Sequence, residues 1–382
     1  MTDRVNPNRI KTMTIDNKDV FAFPGFVDVH VHLREPGFCY KETVATGTAS
    51  AAAGGFTCIL SMPNLNPCPD SIENLKVQQD AIDKDAIVKT IPYGAITVGE
   101  KGEVMADIDG LADKVVAFTD DGVGVMNDDY MEEAMIKTKK YGKLVVAHCE
   151  DNNYPRESSE AEYKQLARDL ELVRKTGCSY HMCHVSTKES VELIRQAKAE
   201  GLDVTCETAA HYLLLTRDDV YDAIGEMAEG GRPAGRFKMN PPIKFEEDRQ
   251  ALIEALKDGT IDMLATDHAP HSAEEKGQEF DKCAFGIIGL ETAFPVLYSR
   301  LVKEGIITLE KLIDLMAIAP AKRFDLPVSE GDYTVWDLDE EYVLDPSTFK
   351  TMGRATPFDG WKVNGRCLKT FVEGKEVYSY DR

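Results

Sequence analysis

Short runs rich in β-branched and aromatic residues alternate along the chain with longer segments whose apolar residues recur at i, i+3 and i+4. The short runs predict eight strands, over residues 26–32, 57–62, 87–95, 115–119, 144–148, 179–184, 204–208 and 263–266. Between them the longer period predicts helices over 41–53, 71–83, 129–141, 160–175, 188–200 and 246–257. Strand–helix alternation at this spacing builds parallel strands joined by right-handed crossovers. Eight such units predict an α/β fold, a TIM-like (β/α)₈ barrel over residues 24–320.

After Glu304 the pattern changes. One more helix, 309–318, leads to Pro320, and β-type segments follow at 333–338, 342–344 and 361–380 with Gly and Pro between them. Residues 321–382 therefore read as a small antiparallel β appendage, to which the N-terminal segment 1–23 adds a strand through 11–23. Gly225 to Arg236, rich in Gly and charge, reads as a flexible insertion. No repeat or low-complexity tract interrupts the chain, so the appendage is expected to pack on the barrel.

Composition narrows the class. Of 382 residues 43% are apolar and 29% charged, which suits a globular protein with a large core. Lys and Arg number 44 against 66 Asp and Glu, so the net charge is 44 − 66 = −22. That sign opposes nucleic-acid partners held through phosphate. The most apolar stretch, 44–62, is broken by Thr, Ser and Gly, so no membrane span is expected. Residues 1–19 lack the apolar centre of a signal peptide, and nine Cys without a CxxC pair do not form a disulfide framework. A cytoplasmic location follows as an expectation.

Chemistry concentrates in the histidines, of which there are eight. His30 and His32 sit two apart on a strand and so share a side, at the C-terminal end where barrel enzymes keep their active sites. His148, His184 and Asp267 end the fifth, sixth and eighth predicted strands, and Asp121 follows the fourth. Any one of these alone reads as a hydrogen-bonded core residue. Four His and two Asp at the same end of one barrel read as a metal site. Nitrogen and oxygen donors without thiolate suit Zn²⁺, with Mn²⁺ or Co²⁺ as substitutes, and six ligands exceed one tetrahedral site. A two-metal centre that activates water against an amide-type bond is the chemistry expected. Cys149 and Cys183 alternate with ligand positions and are expected to point into the strand–helix layer. His181 and His211 read as structural.

The blocks PGFVDVHVHLREPG (24–37), MPN (62–64), FTDDG (118–122), AHCED (147–151), CHVST (183–187), KMNPP (238–242) and ATDHAPH (265–271) resemble, in order, the signatures of bacterial class I dihydroorotases of the amidohydrolase superfamily. The resemblance implies a hydrolase of pyrimidine biosynthesis that cyclises N-carbamoyl-L-aspartate reversibly to L-dihydroorotate. It implies two Zn²⁺ per chain: His30 and His32 on one, His148 and His184 on the other, Asp121 between them, and Asp267 as both ligand and general acid/base. Hydroxide activated by the metals would attack the ring carbonyl. The family's substrate contacts fall on His32, Arg34, Asn64, Asn240 and His271, with the backbone of Phe285 and Gly286. Many superfamily members bridge the metals with a carboxylated lysine, but no Lys stands between Val115 and Asp121 here. The implied aspartate bridge needs no bicarbonate, and its shorter reach suggests that one metal is labile.

The chain departs from the family pattern in having only 24 residues before Gly25 and a short stretch between His148 and His184. Those departures leave open whether it forms a homodimer and whether it works with aspartate carbamoyltransferase. Two other readings compete: an allantoinase or dihydropyrimidinase, whose substrates need no carboxylate anchor such as Arg34, and a catalytically silent scaffold for aspartate carbamoyltransferase.

Overall fold

Parallel strands buried on both faces need apolar residues at nearly every position. Phe26–Val31 and Phe56–Ser61 are buried at every position, apolar except for Asp28, His30, Thr57 and Ser61. The computed structural model describes residues 10–15 and 18–380. Its strands are β1 (Lys11–Ile15), β2 (Lys18–Pro24), β3 (Phe26–Val31), β4 (Phe56–Ser61), β5 (Lys89–Pro92), β6 (Leu144–Ala147), β7 (Ser179–Met182), β8 (Val204–Thr208), β9 (Met263–Leu264), β10 (Tyr333–Val343), β11 (Lys362–Val372) and β12 (Lys375–Ser379). β3-β4-β5 and β6-β7-β8-β9 form two parallel sheets. Isolated parallel bridges join them into a ring: Gly94 to Phe118, Phe118 to Val145, and His268 to Val31.

The fourth stave differs from the expectation. Residues 115–119 form no regular strand, because their hydrogen bonds are divided between two neighbours. Phe118 donates to Leu144 O (3.1 Å) while Thr119 donates to Gly94 O (3.0 Å). β9 is also shorter than 263–266. Thr266 turns its amide and hydroxyl to the buried Asp28 carboxylate (3.2 and 2.5 Å), which withdraws that amide from the ladder. The eight staves nevertheless close as a (β/α)₈ barrel, with Val27, Val29, Cys58, Leu60, Val146 and Met263 in the inner cluster. Phe26, Phe56, Ile59, Val145 and Tyr180 belong to the outer one, beneath the helices.

The appendage is a five-stranded antiparallel sheet in the order β1-β2-β10-β11-β12. Residues 11–23, expected to give one strand, give two. The expected pair 333–338 and 342–344 is one strand, β10, with a register shift between Asp337 and Glu341. Residues 361–380 split into the β11–β12 hairpin, because Glu373 and Gly374 have φ of 53° and 80°, the paired left-handed residues of a tight hairpin turn. Gly225 to Arg236 is not a flexible insertion. The helix Arg217–Ala228 covers its first residues, and the buried Arg236 pairs with Glu226.

An aromatic cluster fixes the sheet on the barrel. Trp336 of β10 lies 4.2 Å from Phe294 and 5.8 Å from Phe26, ring centre to ring centre, and stacks on Phe23 at 6.2 Å. Such pairs contribute about 0.5–1.5 kcal/mol each beyond their buried area. Gly55, which turns the chain into β4 at φ 83°, leaves the room Trp336 occupies: a Cβ there would stand 2.6 Å from Cζ2 of the indole. Gly55→Ala is therefore expected to lower stability by about 1–3 kcal/mol through positive-φ strain and overpacking together. Chemical denaturation measures this, and an unchanged midpoint would contradict the packing described.

Candidate metal centre and active site

Asp121 sits at the centre, 3% exposed, on the loop after the fourth stave. Its Oδ1 lies 3.3 Å from His30 Nε2 and 3.9 Å from His184 Nε2, and its Oδ2 lies 3.3 Å from His32 Nε2. Asp267, at the end of the eighth stave, places Oδ1 3.3 Å from His32 Nε2 and 3.5 Å from His30 Nε2. His148 Nδ1 and His184 Nε2 are 2.9 Å apart. The six expected ligands are therefore brought together at the C-terminal end of the staves. Five of them form two overlapping groups, His30–His32–Asp121 and Asp121–His148–His184, the ligand atoms of each lying within 4.8 Å of one another, and Asp267 stands outside both. His30 Nε2 and Asp121 Oδ1, both buried, have no hydrogen-bond partner. A borderline cation fits such a donor set, and Asp121 belongs to both groups.

Surrounding carboxylates orient the imidazoles. Glu207, on β8, faces the barrel interior and accepts from His30 Nδ1 (2.8 Å) and His181 Nε2 (3.1 Å). With its Nδ1 proton committed to Glu207, His30 turns the lone pair of Nε2 toward Asp121. Glu150 accepts from His148 Nε2 (3.1 Å), which leaves Nδ1 to face His184. Burial opposes ionisation of both acids, yet the bonds from His181 and His30 hold Glu207 at about 2. Asp121 behaves alike: burial raises it, but the neighbouring His30, His184 and His32 bring it well below the carboxylate range. Asp267 falls to about 2 against its own burial, through His30 and His32.

The expected substrate residues are anchored at several points around this cluster. Arg34, with φ 64°, donates from Nε to Pro270 O (3.2 Å), and its Nη2 lies 3.3 Å from His271 Nε2. Among the described residues no carboxylate stands within ion-pair distance of its guanidinium. Burial, then Arg34 and Lys41, lowers His271 to about 3, so its ring is neutral. Asn64 donates to Asp121 O (2.6 Å) and to Glu100, leaving Oδ1 buried and without a partner. Asn240 donates to Glu150 (2.7 Å). Phe285 carries Arg156 and Lys238 over its ring at 4.8 and 4.6 Å, and Gly286, at φ 129°, lies against Ala269 and His271.

One orientation is corrected. Cys149 points into the strand–helix layer, 3.4 Å from the Tyr180 hydroxyl. Cys183 does not: it belongs to the inner cluster beside His30 and Glu207. Strand alternation ends at Met182, and His184 reaches the site through a left-handed turn at φ 32°, so both side chains face inward. Burial pushes the Cys183 thiol up, which keeps it protonated. His181 is satisfied by Glu207 and Thr205, while His211 is buried, lowered to about 4 by that burial, and packed against Tyr212. Sequence reasoning missed Glu207 and Glu150. The signal for Glu207 was an acid inside an otherwise strand-forming run; for Glu150, its i+2 relation to His148.

A parallel eight-stave barrel with a buried His–Asp cluster at its C-terminal end and a neighbouring antiparallel sheet defines a cyclic amidohydrolase. The L-hydantoinase (dihydropyrimidinase) of Arthrobacter aurescens has this fold, with a TM-score of 0.85 and 27% identity over 95% of this chain and 86% of that one. The dihydropyrimidinase of Brevibacillus agri NCHU1002 superposes with a TM-score of 0.81. A family described as dihydro-orotase-like matches residues 20–190. The dihydroorotase of Staphylococcus aureus strain Mu50 is 45% identical across 96% of this chain and 90% of its own length, and that of Fusobacterium nucleatum is 44% identical across 95% and 89%. The chain belongs to the dihydroorotase family.

Glu207→Gln tests the orienting carboxylate. The amide is nearly isosteric but a weaker acceptor, so the affinity of the His30 side for divalent metal is expected to fall about 10- to 100-fold. Competition with a chromophoric chelator measures it, and an unaltered affinity would show that Glu207 does not govern His30.

Proposed function

We propose that the chain interconverts N-carbamoyl-L-aspartate and L-dihydroorotate, using two Zn²⁺ ions. His30 and His32 would hold one ion, His148 and His184 the other, with Asp121 between them and Asp267 on the His32 side. The observation that supports this reading over a hydantoinase or dihydropyrimidinase is Arg34, a half-buried guanidinium beside the cluster with no carboxylate partner. A neutral ring amide would leave that charge unmatched, whereas the carboxylate of dihydroorotate accepts from it bidentately. Intact ligands disfavour the silent-scaffold reading.

Each residue then has a task. Bound metals supply Lewis acidity and a water acidic enough to react at neutral pH. Arg34 grips the substrate carboxylate, and the neutral His271 ring beside it donates or accepts without competing for charge. Asn64 offers its free Oδ1 to a ring N–H, with its amide group locked by Asp121 O and Glu100. In the hydrolytic direction Asp267 takes a proton from the attacking water as its oxygen bonds to the ring carbonyl carbon. The C–N bond then breaks, and the same carboxyl returns that proton to the leaving nitrogen. Cyclisation runs these steps in reverse.

Arg34→Met is expected to lower kcat/KM for L-dihydroorotate by roughly two to three orders of magnitude, since breaking a buried charge pair costs about 3–5 kcal/mol. Metal content should stay the same, and an uncharged dihydropyrimidine should respond far less. Equal losses on both substrates would remove the carboxylate anchor from the account.

Chelation should abolish turnover, and Zn²⁺ should restore it in bicarbonate-depleted buffer, because an aspartate bridge needs no CO₂. Between one and two equivalents of metal are expected by elemental analysis. Recovery that requires added bicarbonate would refute the bridge.

A further inference from the structure

Three lysines at the active-site end of the barrel are buried with no carboxylate within ion-pair distance among the described residues. Lys244 donates to Glu157 O and Ser158 O, and Lys238 to Phe280 O and Asp281 O. Lys276, 5% exposed, donates to Lys238 O (3.0 Å), Ala284 O (2.7 Å) and Gly286 O (2.7 Å). An ammonium has three N–H donors, and all three are used here on main-chain carbonyls. Its neighbour Glu275 is turned away, toward Lys41, His271 and the Ser272 amide.

The carbonyls come from two loops that are distant in sequence. One carries Asn240, two residues beyond Lys238; the other carries Phe285 and Gly286. The Gly286 amide also donates to Lys238 O (3.0 Å), so that oxygen serves both loops. Lys276 itself follows His271 on the turn that ends in the short helix Ala273–Lys276. Gly235 packs so closely on this turn that a Cβ would stand 2.2 Å from Lys276 O. Three segments of the substrate wall, those of Asn240, His271 and Phe285–Gly286, therefore meet at one nitrogen atom.

We propose that Lys276 is a positioning residue for substrate: its ammonium group clamps the Lys238 and Gly286 main chains at the separation the ring needs, without touching the ring itself. Without the cation, Ala284 O and Gly286 O would lose this donor and Lys238 O would keep only the Gly286 amide, so the three oxygens would repel one another and the wall would open. Three carbonyl acceptors call for three N–H donors and so favour the ammonium form, while burial, with Lys238 and Arg34 adding to the effect, lowers Lys276 to about 7 and makes that charge costly. An anion in the pocket would relieve that strain, so the clamp and a carboxylate substrate support one another.

The proposal rests on the dihydroorotase reading, and the test separates the two. In the metal-loaded full chain, Lys276→Met is expected to raise KM for L-dihydroorotate about 10- to 100-fold, the range for hydrogen bonds to a charged group. A change in kcat within about threefold and unchanged metal content should accompany it. Lys276→Arg, which keeps the cation and its donors, should fall between wild type and Lys276→Met. Hydrogen exchange at the Gly286 amide should quicken in Lys276→Met while β3 and β4 stay protected. Unchanged KM, a loss confined to kcat, loss of metal, or equal KM in the Arg and Met variants would overturn the proposal. If Lys276→Met does not fold, Lys276→Gln, with two N–H donors and no charge, decides by the same criteria. A wild-type chain that fails to turn over L-dihydroorotate sinks the functional reading, and the exchange rate at Gly286 in Lys276→Gln then decides the clamp alone.

Discussion

Burying Asp121 is the constraint on which the rest of the site depends. A carboxylate taken out of water loses several kcal/mol of solvation even after relaxation, and an imidazole about 4 Å away returns a comparable amount only if it carries charge. The protein alone meets this by favouring protonation: burial lowers His30, but the carboxylates of Asp121 and Asp267 push it well above its ordinary value. A metal ion on the same atoms would do the work of those protons with better geometry. The centre is in this sense left unsatisfied by the protein alone, and cation binding there would be coupled to the loss of protons.

That constraint explains where the barrel departs from regularity. Asp267, Arg34 and His184 all have φ in the left-handed region, at 49°, 64° and 32°. Each stands just past the end of a stave, where ladder bonds cease and the side chain must turn in toward the cluster. Strain of about 1–3 kcal/mol per residue persists only where packing over-determines it. The packing is present: β3 and β4 are buried throughout, and the aromatic contacts of Trp336 brace the opposite side of β3.

Most of the architecture was legible from periodicity, because parallel strands and their helices leave distinct spacings. So was the convergence of the six candidate ligands, which fall with Arg34 in blocks of unusual local composition. Parity carried the prediction only as far as the strands ran. Cys183 was assigned outward because His184 faces in, and the rule fails once the chain leaves β7 and turns. Residues 115–119 were read as a strand from composition, yet their hydrogen bonds are shared between two neighbours. Glu207 and Lys276 were illegible for another reason. Each acts through a partner, His30 in one case and three carbonyls in the other, that lies far away along the chain, and no local spacing encodes such pairs.

Charge presents the site with opposite demands at two ranges. The chain carries −22, and its proposed open-chain substrate is a dicarboxylate, so the far field repels what the site must bind. At physiological salt that repulsion is screened beyond about 8 Å, whereas buried charges within the pocket are screened much less. Inside that radius the balance reverses. Arg34 has only a carbonyl and a neutral imidazole for company, Lys276 has carbonyls, and Lys238 has carbonyls and the Phe285 ring. Lys41 alone of these cations is balanced, by Glu275 at 2.9 Å. Dipoles hold these cations in place without neutralising them, which a carboxylate partner would do. A substrate anion thus meets positive potential only after it has entered, and selection falls on the fit of its carboxylate rather than on its charge at a distance.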